Sequence, residues 1–305
     1  MFKVLKTDDY PFLKEFFEHQ NYPLCEYSLS SITAWNHCIY NAHFIICENE
    51  LFISEVPMES PVKKRLLLPL AKKPKNFTPA ELFEKAKKFG YERYYYVPEN
   101  YLKENDLPEI EKFFEALEQT GYMDYVYPAS DMKNLKGHKF SKKRNLITQF
   151  KKQFPESSVK TELISKNNAG QCISLLEEWS KRHDEPEEGL AETLDCEKKA
   201  IINSLKNFDL LEMKGIMVEI EGKTAGFAIG SRLSSDAFAL HFEKASGDIK
   251  GLYQFLDNEF AKILPDRFIY INKESDLDKP SLKKAKESYY PVKKIKSYIL
   301  SARTI

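Results

Sequence analysis

No stretch of this sequence is apolar for long enough to cross a membrane. The best candidate, Leu66-Leu-Leu-Pro-Leu70, falls far short of the ~20 residues a spanning helix needs, and no signal peptide opens the chain. Net charge is also missing. The 46 Lys and Arg balance 46 Asp and Glu, so the whole molecule does not steer toward nucleic acid or membrane, and any such attraction must be local. Metal-ligand spacing is absent as well. The six histidines (His19, His37, His43, His138, His183 and His241) make no HxxxH or HExxH pair, and the five cysteines (Cys25, Cys38, Cys47, Cys172 and Cys196) make no CxxC. These absences argue against a zinc enzyme and for no metal. An odd cysteine count without a signal peptide predicts reduced thiols in a cytosol. The expectation is a soluble, cytoplasmic protein.

What is present points to folding and to one local asymmetry. Hydrophobic residues make up 42% of the 305 and aromatics 13%, enough for two domains with their own cores, or one large one. Between Asp131 and Glu156 there is no carboxylate, yet eight Lys or Arg occur. Ser141 is placed to cap a helix there. Lys143, Ile147, Phe150 and Phe154 then follow along one helical face, with Lys143 at the N-terminal end of the apolar stripe. Lys142, Arg144, Lys151 and Lys152 point elsewhere. A cationic loop entering the positive end of a helix dipole suits an anion, phosphate above all. A solvated basic linker is the other reading.

Element patterns repeat on either side of that stretch. Helices are expected from Thr7 and over Ser28–Asn36, followed by strands Ala42–Cys47, Leu51–Val56 and Arg65–Leu70. Thr78-Pro-Ala-Glu81 reads as a capping box, and Gly90 ends its helix. Strand Tyr91–Val97, helix Pro108–Leu117 and strand Met123–Tyr127 complete the first half. The second half gives helices Asn167–His183 and Leu194–Leu205, then strands Leu210–Ile220, Thr224–Leu233 and Ala237–Ala245. Helix Gly251–Leu264, strand Phe268–Asn272, helix Ser281–Ser288 and strand Ile295–Leu300 follow. Both halves read helix, helix, three meandering strands, helix, strand, helix, strand. That is the order of the Gcn5-related acyltransferase fold. It predicts an α/β (α+β) chain of two tandem Gcn5-related N-acyltransferase-like domains, each a mixed sheet flanked by helices, over residues 1–134 and 135–305. In each sheet the fourth and fifth strands should splay apart.

Two motifs carry a resemblance. Leu135-Lys-Gly-His-Lys-Phe-Ser-Lys-Lys-Arg-Asn145 is one; Ile271-Asn-Lys-Glu-Ser-Asp-Leu277 with Leu282-Lys-Lys-Ala-Lys-Glu-Ser-Tyr289 is the other. They resemble the signatures of a bacterial family similar to the C-terminal catalytic domain of phosphatidylglycerol lysyltransferases, in the branch that includes Fem-type peptidyltransferases. The resemblance implies an aminoacyl-tRNA donor rather than a thioester. Coenzyme A-dependent members of the fold cradle pyrophosphate in a Gly-rich turn after the fourth strand. Here Ala245-Ser-Gly-Asp-Ile-Lys-Gly-Leu-Tyr-Gln254 lacks that run, and Tyr253 stands where a small residue admits the phosphate. Coenzyme A is therefore the less favoured donor, and no resident cofactor is expected.

Candidate catalytic residues follow from strand ends. Glu243 sits at the end of the fourth strand of the second half, where strict alternation places it on one face with His241. It can grip an amino group or act as a base. A surface pairing with Lys223 or Arg232 is the alternative. Asn272, Lys273, Glu274 and Asp276 end the fifth strand with an amide, a cation and two carboxylates. Lys143, Arg144, Lys284 and Lys286 are expected to converge on one cationic pocket, with Tyr289 behind, for a tRNA acceptor end or a phospholipid headgroup. The expected function is aminoacyl transfer from aminoacyl-tRNA to an unknown lipid or small-molecule acceptor, in the cytoplasm or peripherally at the membrane. The rivals are an acetyl-CoA-dependent N-acetyltransferase and a non-catalytic module binding RNA or anionic lipid.

Overall fold

A computed structural model describes residues 1–58, 60–181 and 190–304. The chain opens with β1 (Lys3–Val4), α1 (Tyr10–Leu13) and α2 (Leu29–Trp35), then the hairpin β2 (Tyr40–Cys47) and β3 (Glu50–Pro57). Glu48 and Asn49 both take positive φ (56° and 64°), the geometry whose twist matches a two-residue hairpin. Short strands β4 (Arg65–Leu66) and β5 (Leu70–Ala71) precede α3 (Pro79–Phe89). The expected box caps α3: Thr78 Oγ1 accepts from Glu81 N at 3.2 Å, and Glu81 Oε2 accepts from Thr78 N at 2.8 Å. Next come β6 (Arg93–Pro98), α4 (Glu99–Glu104), α5 (Leu107–Glu111), β7 (Phe114–Glu118) and β8 (Asp124–Pro128).

The basic stretch holds α6 (Ala129–Asn134) and α7 (Ser141–Gln153), followed by β9 (Val159–Leu163), α8 (Ala169–Lys181) and α9 (Leu190–Lys206). A three-strand meander, β10 (Lys214–Ile220), β11 (Lys223–Arg232) and β12 (Ala237–Ala245), leads to α10 (Leu252–Ile263). The chain ends with β13 (Tyr270–Asn272), α11 (Pro280–Glu287), β14 (Lys293–Ile295) and β15 (Ser297–Ala302).

These elements form two mixed sheets flanked by helices. One runs β1-β2-β3-β4-β6-β15-β7, with β5 also on β3; the other runs β14-β8-β13-β12-β11-β10-β9. Each has a single parallel junction, β4 with β6 and β12 with β13, and all other pairs are antiparallel. The second sheet is covered on both faces. Ile216 and Val218 of β10 pack with Phe150, Phe255 and Leu256 of α7 and α10, whereas Met217 joins the other cluster, which α8, α9 and the first half of the chain share. A strand buried on both faces needs the continuous apolar run Gly-Ile-Met-Val that the sequence supplies there.

Several expectations need correction. The boundary at residue 134 does not separate the sheets, because each takes a strand from the other part of the chain. β8 pairs with β13 and β14 in the second sheet, while β15 enters the first between β6 and β7. The expected closing strand Ile295–Leu300 is thus two strands that cross from one sheet to the other. Helix Pro108–Leu117 stops at Glu111, since Phe114-Glu-Ala-Leu-Glu alternates between buried and exposed and pairs with β15. Ser141 makes no capping bond; a 3-10 turn at His138–Phe140 runs straight into α7. Cys38 and Cys196 form a disulfide, so the thiols are not all reduced. His183, where one helix was expected to end, lies outside the described residues. No helix among the described residues is long and apolar enough to cross a membrane.

Candidate active site at the fork of the second sheet

β12 and β13 run side by side for three residue pairs only, Ala237 with Tyr270 through Ala239 with Asn272. β12 continues to Ala245 while the other chain leaves, so the strands fork. Glu243 lies on the free half of β12, Lys273 just beyond β13. Lys273 donates to Glu243 Oε2 at 3.2 Å and to Asp257 of α10. The two lysine and glutamate side chains are only 12% and 16% exposed, and Asp257 is 4% exposed. The surface pairing of Glu243 with Lys223 or Arg232 is not what forms.

A bulge explains the position of Glu243. The register of β11 with β12 slips between Ile229 and Gly230, leaving His241 as the extra residue. His241 and Phe242 therefore both turn toward α2: the imidazole reaches Ser28 and Ser231, and Phe242 stacks 5.8 Å from Trp35. Glu243 then faces α10. Strict alternation put His241 and Glu243 on one face; the bulge puts them on opposite faces.

The remaining residues close over Lys273. Tyr289, just after α11, has its ring centroid 5.3 Å from Lys273 Nζ and 3.8 Å from Lys143 Nζ. Lys143 donates to Ser288 Oγ at 2.6 Å, and Lys286 donates to the Lys273 carbonyl. Lys143 and Lys286 thus come to the same group from distant parts of the chain, Lys143 over the Tyr289 ring and Lys286 on the Lys273 carbonyl. Arg144 and Lys284 do not join them. Arg144 binds the Leu135 and Gly137 carbonyls at 2.5 and 2.7 Å, pinning the loop ahead of α7, and Lys284 is exposed.

Burial and crowding tune these groups. Burial and the adjacent Asp257 carboxylate push the Glu243 carboxyl up to about 7, against the pull of Lys273. Burial opposes the Lys273 charge, but Asp257 and Glu243 outweigh it and hold the ammonium above its ordinary range. Lys143 has no carboxylate at contact distance, and burial lowers it to about 8. Lys286 is lowered too, by burial and the Lys273 charge. Burial and Asp257 raise the Tyr289 phenol. Glu243 Oε1 is shielded from solvent and makes no hydrogen bond among the described residues. A buried carboxylate oxygen beside the fork thus keeps an unused lone pair.

The other strand-end residues hold the two halves together. Asn272 Nδ2 donates to Asp124 Oδ2 at 2.7 Å and to the Pro23 carbonyl at 3.1 Å. Glu274 Oε1 meets His241 Nδ1 at 2.7 Å, and Asp276 accepts from the Tyr125 hydroxyl at 2.5 Å. All three have hydrogen-bond partners within the chain. Asp257 is the member that sequence reasoning missed. Its signal was a carboxylate among Phe255, Leu256 and Phe260, at an inward position of an amphipathic helix.

Two further arrangements bear on ligands. The loop before α10 is closely packed. Gly251 has φ +86°, and a Cβ on it would lie 2.2 Å from the Leu146 carbonyl, so α7 packs against the start of α10. The Tyr253 hydroxyl occupies Ala245 N and O, both at 3.3 Å. Among the described residues one trio, Cys25, Glu26 and Asp124, converges closely enough to surround a cation. Asp124 already accepts from Cys25 N and Asn272, and burial pushes the Cys25 thiol up, away from the thiolate a metal needs.

Comparison with known proteins agrees with this architecture. No curated protein matches the sequence. A conserved protein of unknown function from Bacteroides thetaiotaomicron is 29% identical, with TM-score 0.87 and 99% of each chain covered. The C-terminal domain of a lysylphosphatidylglycerol synthetase from Agrobacterium fabrum superposes with TM-score 0.60 at 13% identity, over 90% of this chain and 87% of that one. FemX superposes with TM-score 0.56 at 8% identity, over 99% and 95%. The last two show the shared acyltransferase fold. In sequence, residues 82–301 match the family described as phosphatidylglycerol lysyltransferase, C-terminal. The chain belongs to that acyltransferase family.

Proposed function

We propose that this chain is an aminoacyltransferase that takes its acyl group from a charged tRNA and passes it to a hydroxyl or amine at the fork of the second sheet. The observation that carries the reading is the open Oε1 of Glu243, on a carboxyl raised to about 7. A base with that pKa accepts a proton near neutral pH without being permanently protonated. The acceptor nucleophile hydrogen-bonds to Oε1, gives up its proton there and attacks the ester carbonyl carbon. The ester C–O bond breaks, and the leaving ribose oxygen takes a proton from the Lys143 ammonium, lowered to about 8. Proton return from Glu243 to Lys143 resets the pair.

An aminoacyl group as what is moved is supported by the lysyl transfer in the family's name, and a donor other than coenzyme A by the packing of the loop before α10. The Tyr253 hydroxyl on Ala245 N and the close approach of α7 to Gly251 are what speak against a coenzyme A pyrophosphate there. The acceptor is read as a lipid or small molecule. The test is to incubate the protein with a mixed pool of charged tRNAs and coenzyme A thioesters and ask which donor is consumed. Consumption of an aminoacyl-tRNA, lost at least ~100-fold in Glu243→Gln, is expected. Calorimetric binding of coenzyme A at micromolar concentration, with acetyl transfer, would replace this reading with the acetyltransferase.

A further inference from the structure

The two sheets correspond strand for strand. From one edge to the other, β1-β2-β3, then β4 with β5, then β6-β15-β7 matches β9-β10-β11-β12-β13-β8-β14, with the parallel junction at the same place in each. The first sheet forks there too. β4 and β5 both follow β3, pairing Leu66 with Ser54 and Leu70 with Leu51. β6 meets β4 at Tyr94, pairs onward with β15 and turns at Pro98 into α4. Residues that follow the junction on both chains line a cavity of about 220 Å³: Pro69 and Leu70 at β5, Pro74 and Phe77 ahead of α3, and Asn100 of α4.

The lining has the chemistry of a neutral, hydrogen-bonding guest. Asn100 Oδ1 is shielded from solvent and accepts no hydrogen bond among the described residues. Such an acceptor is costly to leave without a donor, so a group that supplies one is favoured there. Asn100 Nδ2 reaches Glu104 Oε1 only at 3.5 Å, and the χ2 torsion of asparagine is broad. The carboxamide therefore turns toward a guest at little cost. Asn21 and Asn76, also on the lining, are exposed carboxamides whose side chains have no partner among the described residues. Lys75 is taken by Glu50 at 2.6 Å and Glu81 at 3.5 Å, which leaves Lys73 and Glu104 as opposed charges. An anion finds no surplus of cations here.

We infer that the fork of the first sheet is a second binding site, for a neutral polyhydroxylated molecule the size of a single sugar ring. A carboxamide donates to one hydroxyl and accepts from the next, and the C–H face of such a ring packs on the prolines, Leu70 and Phe77. The volume lies below the ~300 Å³ at which pockets for drug-sized ligands begin, which argues against a nucleotide or coenzyme A. The inference is independent of the transfer chemistry at the second fork.

Saturation-transfer NMR of the whole chain with glucose, galactose, mannose and N-acetylglucosamine at millimolar concentration tests it. At least one of the four is expected to bind with a millimolar dissociation constant or better. Asn100→Leu removes the acceptor and keeps a good helix former, so it should weaken that binding about tenfold with an unchanged or higher melting temperature. Asn76→Ala, at an exposed position, should weaken it about threefold. Should Asn100→Leu lose its melting transition, Asn76→Ala carries the test alone. Binding of none of the four sugars overturns the inference, as does undiminished binding by the folded variants. Tighter binding of N-acetylalanine amide than of any sugar also overturns it, and would make the cavity a peptide site.

Discussion

Lys143 is buried with a hydroxyl and an aromatic ring for neighbours and no carboxylate in contact, and this has a measurable cost. Its folded value of about 8 lies below the ordinary 10.5. Between those pH values the unfolded chain binds more protons, so stability rises with pH from about 8 to about 10.5 and the penalty is fully felt below 8. Lys143→Met keeps the volume and removes the charge. It should stabilise the protein by about 2–3 kcal/mol at pH 7, less as pH rises past 8, and weaken turnover. Urea midpoints at pH 7 and pH 10 measure it; an equal midpoint shift at both would show that packing, not charge, is at stake. Glu243 differs in that its charge has a partner in Lys273: burial first and the neighbouring Asp257 second raise its carboxyl, and the shared ammonium only partly offsets them.

At the scale of elements, the sequence made legible whatever is coded locally. The capping box of α3, the meander β10–β12 with its tight turns, and α10 all fall close to where periodicity and turn residues placed them. What it hid depends on distant partners. Phe114–Glu118 reads as helix until β15 pairs with it, and Ile295–Leu300 reads as one strand because nothing local marks the crossing at Lys296. The site was half visible for the same reason. Glu243, Lys273, Lys143 and Tyr289 could be named from strand ends and the basic stretch. The bulge at His241 could not, since it is set by the neighbouring strand, and the inward Asp257, though marked by its apolar neighbours, becomes a partner of Lys273 only through the packing of α10 on the sheet. Gly251 is a local residue whose role is also tertiary. A side chain there meets the Leu146 carbonyl and a left-handed backbone at once. Gly251→Ala should cost about 2–4 kcal/mol and part α7 from α10. Thermal melts with fluorination-labelled Phe150 and Phe255 would report both, and an unchanged Tm would show that α7 yields freely.

The molecule as a whole is tied across its two sheets several times. Each half of the chain lends a strand to the other's sheet, Asp124 and Asn272 of the second sheet bind Cys25 N and the Pro23 carbonyl of the N-terminal segment, and Glu274, His241, Ser231 and Ser28 form a polar chain from the end of β13 through β12 and β11 to the start of α2. The Cys38–Cys196 disulfide adds a covalent tie from the segment before β2 to α9, closing 158 residues of sequence. Next to it, Glu197 ion-pairs with Lys244 at 2.8 Å, one residue from Glu243, so the tie lies close behind the fork. A cross-link over so long a loop restricts the unfolded chain strongly, by about 5 kcal/mol on chain entropy alone and about 2–4 kcal/mol as such bonds usually perform. Cys38→Ser should therefore lower the denaturation midpoint by that amount in oxidising buffer. Excess dithiothreitol should bring the unaltered chain down to the same midpoint and leave the variant where it was, because Cys25 and Cys172 are buried thiols with no bond to lose. Maleimide labelling of the unfolded chain counts the thiols independently, three before reduction and five after. A melting curve indifferent to reductant, with all five cysteines labelled at the outset, would mean that the two halves are held by strand exchange and the polar chain alone.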